Sequence, residues 1–264
     1  MMVKKIISIY RFLFGRTVFY KLNKFLFYIS LKGLGILNYE NDYVSGEKYF
    51  VNEYVSKSKN DMVVFDVGAN IGNYSKMIRK INKNTEIYSF EPHPITFKKL
   101  IENIGQMNIN SFNVGVGSKN GVMELYDYAG KDGSSHASVY KNVIEKIHKG
   151  NVSIHEVKII NLDEFVIKHK IERVHLLKID TEGHELEVLK GFGKFIRQNR
   201  IDLIHFEFNE MNTESRVFFK DFYEFLPNYN FFRMLPNGVV PLKSYSTVFC
   251  EIFAYQNIVA VLKD

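Results

Sequence analysis

The chain predicts a doubly wound α/β domain, a mostly parallel sheet with helices on both faces. Three observations carry that prediction. Apolar runs at residues 63–66, 86–91, 174–180 and 201–207 each end in an acid: Asp66, Glu91, Asp180 and Glu207. Segments of helical period lie between them, as strands alternating with helices require. The first run opens into a glycine loop, Gly68-Ala-Asn-Ile-Gly72, followed by apolar residues at helical spacing (Tyr74, Met77, Ile78, Ile81). With 264 residues and 46% hydrophobic content, one such domain at 41–264 is expected behind a basic amphipathic helical segment at 1–40.

The elements follow in order. Residues 46–58 have helical period and lead into the strand at 63–66. Pro92 and Pro94 break the second strand, and 96–107 is helical. Residues 110–114 read as a third strand, closed by Gly115-Val-Gly-Ser118, and Asn120-Gly121 as a turn. Residues 122–128 alternate like an exposed strand, 130–136 form a polar loop expected to be mobile, and 152–160 read as a strand. Asn161 suits the N-cap of a short helix from Leu162. After the strand at 174–180, a helix is expected at 185–195, a strand at 201–207 and a helix at 215–226; 231–235, 247–250 and 258–262 complete an extended C-terminal set.

The glycine loop is built for a nucleoside-type cofactor. Gly68 and Gly72 would let a ligand approach the backbone, and the helix beyond offers unpaired N–H groups to an anion. A phosphate-binding loop needs a lysine that is missing here, since Lys76 lies well inside the helix. A dinucleotide loop needs Gly-x-Gly-x-x-Gly, whereas this one reads Gly68-x-Asn70-x-Gly72 behind Asp66, a carboxylate that would repel a pyrophosphate. A sulfonium and an ammonium would be welcomed, which favours S-adenosylmethionine. Glu91, roughly 20 residues past the loop, stands where an acid takes ribose hydroxyls.

Four acids at one rim of one sheet call for an offsetting cation: a sulfonium, a metal or a lysine such as Lys178. Methyl transfer to a hydroxyl also needs a proton acceptor. Asp180, Glu182, His184 and His136 are the candidates. Asp180 and Glu207 could share a divalent ion, but no His-rich signature supports a metal and none is expected.

Cys250 is the single cysteine, which excludes an intramolecular disulfide and a Cys-cluster zinc site and suits a reducing, cytoplasmic compartment. No secretory pattern is read. Residues 1–38 carry seven Lys and Arg and no acid, leaving 28 basic against 29 acidic residues elsewhere. The longest uncharged apolar run, 25–31, is too short to span a bilayer. Two readings stay open: helices capping the domain with solvated lysines, or peripheral contact through 1–38 with the inner face of a membrane or another anionic partner. The rest of the chain lacks a basic–aromatic stripe, so no nucleic-acid partner is expected. The oligomeric state is left open.

The motifs Phe65-Asp-Val-Gly-Ala-Asn-Ile-Gly72, Phe90-Glu-Pro-His93, Asn113-Val-Gly-Val-Gly117, Leu162-Asp163 and Lys178-Ile-Asp-Thr-Glu-Gly-His-Glu185 together resemble the FkbM family of S-adenosylmethionine-dependent methyltransferases. The likeness covers about residues 40–262, and the block from Lys178 to Glu185 is its most specific part. The resemblance implies the class I methyltransferase fold, seven strands with the last antiparallel, and O-methylation of a hydroxyl. It implies that Asp66, Gly68, Asn70 and Gly72 line the methionine end of the cofactor, Glu91 the ribose, and Asn113 to Gly115 the adenine edge; Asn73 is a further cofactor-binding candidate. Asp180, Glu182, Lys178 and His184 are then the catalytic candidates, with His136 and Glu207 facing the acceptor. A nucleotide-linked or glycan-attached sugar, as in capsule or polysaccharide assembly, is the favoured acceptor. A lipid-linked or secondary-metabolite hydroxyl, or an NAD-linked oxidoreductase on a similar fold, are the alternatives.

Overall fold

The computed structural model describes residues 2–57, 61–130, 133–134 and 136–263. Ser58 of the expected first helix and Lys131, Asp132 and Ser135 of the polar loop lie outside the described residues. Eleven strands are found among them: β1 (Val63–Val67), β2 (Glu86–Phe90), β3 (Asn110–Phe112), β4 (Gly115–Val116), β5 (Gly121–Tyr128), β6 (Val152–Ile160), β7 (Val174–Ile179), β8 (Ile201–Phe208), β9 (Tyr229–Leu235), β10 (Gly238–Pro241) and β11 (Gln256–Leu262). Eight form one sheet in the order β10-β9-β11-β8-β7-β1-β2-β3, and β4-β6-β5 form a second.

The main sheet has the expected architecture with one addition. From β3 to β8 every neighbour is parallel, and β11 runs antiparallel between β8 and β9. Those seven strands, the last reversed, match the class I methyltransferase arrangement. β10 is an eighth strand, folded back on β9 as an edge hairpin. The β1 alternation explains why both faces are covered. Val64 packs with Phe50, Val55, Tyr74 and Ile78 on one face. Phe65 packs with Phe90, Leu177, Leu189 and Phe192 on the other.

Three local expectations change. Residues 247–250 form a helical turn, not a strand, because the Ser246 carbonyl accepts from both Phe249 N and Cys250 N. The helix expected at 185–195 is two short ones, Glu185–Gly191 and Gly193–Arg197. The second is capped by Asp163, whose carboxylate accepts from Lys194 N and Phe195 N at 2.9 and 3.0 Å. The helix expected at 215–226 begins at Phe219, where Glu251 accepts from Phe219 N and Lys220 N.

Ahead of the sheet, helices Met2–Phe14 and Tyr20–Gly33 are joined by a short 3₁₀ turn. Among the described residues no helix is long and apolar enough to cross a membrane.

Candidate active site

The site lies beyond the carboxyl ends of β2, β1, β7 and β8, where open α/β sheets hold ligands. Its floor is set by two backbone loops in contact. Gly68 has φ +76°, and a Cβ there would overlap the Asp180 carbonyl oxygen. Glycine at 68 therefore answers the neighbouring loop as well as any ligand. Gly72 also has positive φ, but a Cβ there would press on Ile104 and Leu100. Its freedom serves helix packing, so the expectation of close ligand approach at Gly72 changes.

The loop after β7 is pinned from within. Glu185 accepts from Thr181 N, Thr181 Oγ1 and Gly183 N at 3.0 to 3.2 Å. Ser138 Oγ donates to the Glu182 carbonyl at 2.8 Å. Glu182 has φ +53°, a left-handed conformation costly for a residue with a side chain. The Glu182 carboxyl faces His136, whose Nδ1 lies 3.5 Å from Oε1.

Lys178 is the built-in cation that the rim of acids requires. It is buried, with Nζ 3.0 Å from Asp180 Oδ2, 3.8 Å from Asp66 Oδ1 and 5.6 Å from the Tyr74 ring centre. Burial opposes its charge, but Asp180, Asp66 and Glu47 outweigh burial and raise its pKa, so it stays protonated. Lys178 is thus a fixed positive group, not a proton acceptor.

The sequence-derived residues divide into two sets. Gly68, Asn70, Glu91, Gly115, Asp180, Glu182 and His184 line one cavity. Asp66 does not. It is fully buried one residue short of the strand end, and Ser75 Oγ donates to it at 2.6 Å. Asn113 does not line it either; it is exposed and donates to the Glu91 and Pro92 carbonyls at 2.9 and 3.0 Å. Asn73 lines a neighbouring groove, where its Oδ1 accepts from Asn103. Glu207 stands with Asp180, Glu182 and Glu47, and burial followed by those three carboxylates pushes its pKa well above the usual range.

Electrostatics set the character of the rim. Burial raises the carboxyls of Glu47, Glu91 and Glu182 to about 7 each. Glu91 accepts from Asn70 N and His93 N, which partly offsets its burial and aims it into the cavity. Pairing with Glu182 raises His136, while burial lowers His184 and keeps it neutral. Tyr140 Oη lies 3.3 Å from His184 Nδ1. Among the described residues, no three His, Cys, Asp or Glu side chains converge to hold a metal ion.

Two cavities meet at this rim. The first is largely apolar beyond Pro92 and Gly115, walled by Leu125, Val139, Val157 and Ile159 from the second sheet and its flank. The second is a groove between helices Glu47–Val55 and Asn73–Ile81, flanked by Lys48, Lys76 and Lys80. Gly68, Asn70 and Asp180 line both. Sequence reasoning missed Glu47 and the apolar wall. The period-2 alternation of 122–128 and 152–160 carried a signal for the wall, with Leu125, Val157 and Ile159 on the inward face.

A family model described as the methyltransferase FkbM domain matches residues 66–232, more than half of the chain. The hexuronic acid methyltransferase AglP of Haloferax volcanii is 29% identical over 149 residues, covering 55% of this chain and 56% of that protein. The 2-O-methyltransferase NoeI of Sinorhizobium fredii is 22% identical over 196 residues, covering 69% and 77%. The chain thus spans little more than half the length of the first of these relatives. A crystal structure of an FkbM methyltransferase from Methylobacillus flagellatus KT aligns with a TM-score of 0.46 at 13% identity, covering 83% of this chain and 55% of that one.

Proposed function

The chain belongs to the FkbM methyltransferase family, and on that premise we propose that it moves a methyl group from S-adenosylmethionine to a hydroxyl of a sugar, either nucleotide-linked or glycan-attached. One observation carries the reading: the apolar cavity and the polar groove share Gly68, Asn70 and Asp180. A donor in the first and an acceptor in the second would meet there.

The cavity's own groups fit the cofactor. Its apolar wall suits a nucleobase, and Glu91 keeps lone pairs free for ribose hydroxyls. Asp180 and Glu182 at the near end suit the sulfonium, a charge that S-adenosylhomocysteine lacks. A pyrophosphate in the same place would meet those three carboxylates, which argues against a dinucleotide.

When bound, S-adenosylmethionine supplies an electrophilic methyl carbon whose bond to sulfur breaks as sulfur becomes a neutral thioether. Asp180, held by Lys178 on one side, aligns the acceptor hydroxyl at the junction. Glu182, poised at about 7 and backed by His136, takes the hydroxyl proton as the oxygen–carbon bond forms. The names of AglP and NoeI, a hexuronic acid and a 2-O-methyltransferase, support a sugar hydroxyl as acceptor.

The test is an assay with methyl-labelled S-adenosylmethionine against a panel of nucleotide sugars and uronic-acid glycans. Label in a base-stable methyl ether of a sugar is expected. Label on nitrogen, or turnover with NAD and none with the methyl donor, would overturn the reading.

A further inference from the structure

The two N-terminal helices leave nearly all of their apolar side chains in water. Helix Met2–Phe14 buries no residue, and helix Tyr20–Gly33 buries only Leu31. In the first helix, Met2, Ile6, Ile9 and Leu13 fall on one face, and Lys4, Ser8 and Arg11 recur at i, i+4 and i+7 on the opposite one. In the second, Leu22, Phe25, Leu26 and Ile29 form a stripe on the side turned away from Leu31. Side chains along both remain exposed, among them Ile6 at 58%, Phe25 at 58% and Phe27 at 61%. Contiguous apolar exposure of this extent marks an interaction surface.

The pair is shaped and anchored, not loose. At the elbow, Tyr10 Oη donates to Asn23 Oδ1 at 2.6 Å, and Asn23 Nδ2 donates to the Phe14 carbonyl at 2.9 Å. At the base, Leu31 and Ile36 are buried, Leu37 N donates to the Tyr255 carbonyl, and Tyr39 packs edge-on against the Tyr255 ring. The chain then runs to Asp42 and Glu47, which line the polar groove. The exposed helices therefore spring from the rim beside the proposed acceptor side.

We propose that these helices dock the protein on an anionic lipid bilayer, lying in its interface with the groove mouth held near the surface. Charge selects this occupant. Residues 1–38 hold seven basic groups and no acid. A second copy would bring the same seven cations against the first, and like charges oppose that contact. Anionic headgroups neutralise the cations while the acyl boundary accepts the apolar faces, the two signals that interfacial helices combine. Neither helix is long enough to span, so contact stays peripheral.

The experiment is co-sedimentation of the full chain with phosphatidylcholine vesicles, with and without about one-third phosphatidylglycerol. Binding is expected to be about tenfold or more tighter to the anionic vesicles and to weaken as salt rises. K4E/K5E/R11E and, separately, I6S/F25S/I29S should each lose about tenfold or more in that binding. All are exposed, so soluble methyl transfer should stay unchanged, which keeps this test independent of the acceptor assignment. Equal partition to neutral and anionic vesicles, or no partition at all, would overturn the proposal. So would a concentration-dependent dimer, seen by sedimentation velocity, that is lost in I6S/F25S/I29S while vesicle binding is absent.

Discussion

On one side of Asp180 the cavity is walled by Leu125, Val157 and Ile159 and tipped by Glu91; on the other the groove is flanked by Lys48, Lys76 and Lys80 with Glu47 at its head. The first wall is assembled from strand faces and from loops pinned by Glu185 and Asn113, so hydrogen bonds help to hold its shape. The groove lies between two helices whose side chains reach water. Apolar walls held in shape select one ligand shape, whereas exposed charged flanks tolerate different acceptors. On the proposed reading, donor and acceptor specificity are separable in this chain, with Asp180 as the shared post.

The largest effect is expected at that post. Asp180→Asn should lower turnover by about a thousandfold, in the range of a lost positioning and proton-handling group. Binding of S-adenosylhomocysteine, read by calorimetry, should change by about threefold or less. Comparable loss of both would merge the two compartments.

Lys178→Met removes the cation beside Asp66 and Asp180 and leaves the fully buried Asp66 and the partly exposed Asp180 without it. Breaking a buried pair in this way costs about 3–5 kcal/mol. Urea unfolding should show that loss, and a stability within about 1 kcal/mol of the parent would show that Lys178 does not hold these carboxylates together.

Next comes pH. Glu47, Glu91 and Glu182 titrate near 7 in the folded chain, above the carboxylate value of 4.5. Between those values the native state holds protons that the unfolded chain has released, so stability falls as pH rises through that window. The melting temperature without cofactor should therefore be lower at about pH 8 than at about pH 6, and Glu182→Gln should flatten the fall. Activity runs the other way. A base at about 7 must be deprotonated, so kcat should rise through that pH, fall by about a hundredfold in Glu182→Gln and lose that limb.

The sheet was legible because strands ending in acids and helices of 3.6 period alternate along the whole chain. One local exception arose where a four-residue segment decides little. Thr247–Cys250 is apolar enough for a strand, yet two N–H groups turn onto Ser246. The rim was legible for Glu91, Asp180 and Glu182, since strand ends converge at one edge. Asp66 was not, because one residue of register moves a side chain from the rim to the interior. Glu47 was not either: it reaches the rim from a segment remote in sequence, and no local pattern announces such a contact.

The smallest expected effect lies on the apolar wall. Ile159→Ala enlarges the cavity beside Gly115 and should weaken S-adenosylhomocysteine by about five- to tenfold, equivalent to losing about 1–1.5 kcal/mol of contact. Turnover at saturating donor should hold. A fall in kcat without a change in affinity would place the nucleoside elsewhere.

Whether the apolar cavity is the donor site of a methyltransferase is best decided by titrating the protein calorimetrically with S-adenosylhomocysteine and, separately, with NAD. One site with a Kd on the order of micromolar for S-adenosylhomocysteine, lost in Glu91→Leu and kept in Asp180→Asn, is the predicted result. Tight NAD binding with no response to S-adenosylhomocysteine would contradict it.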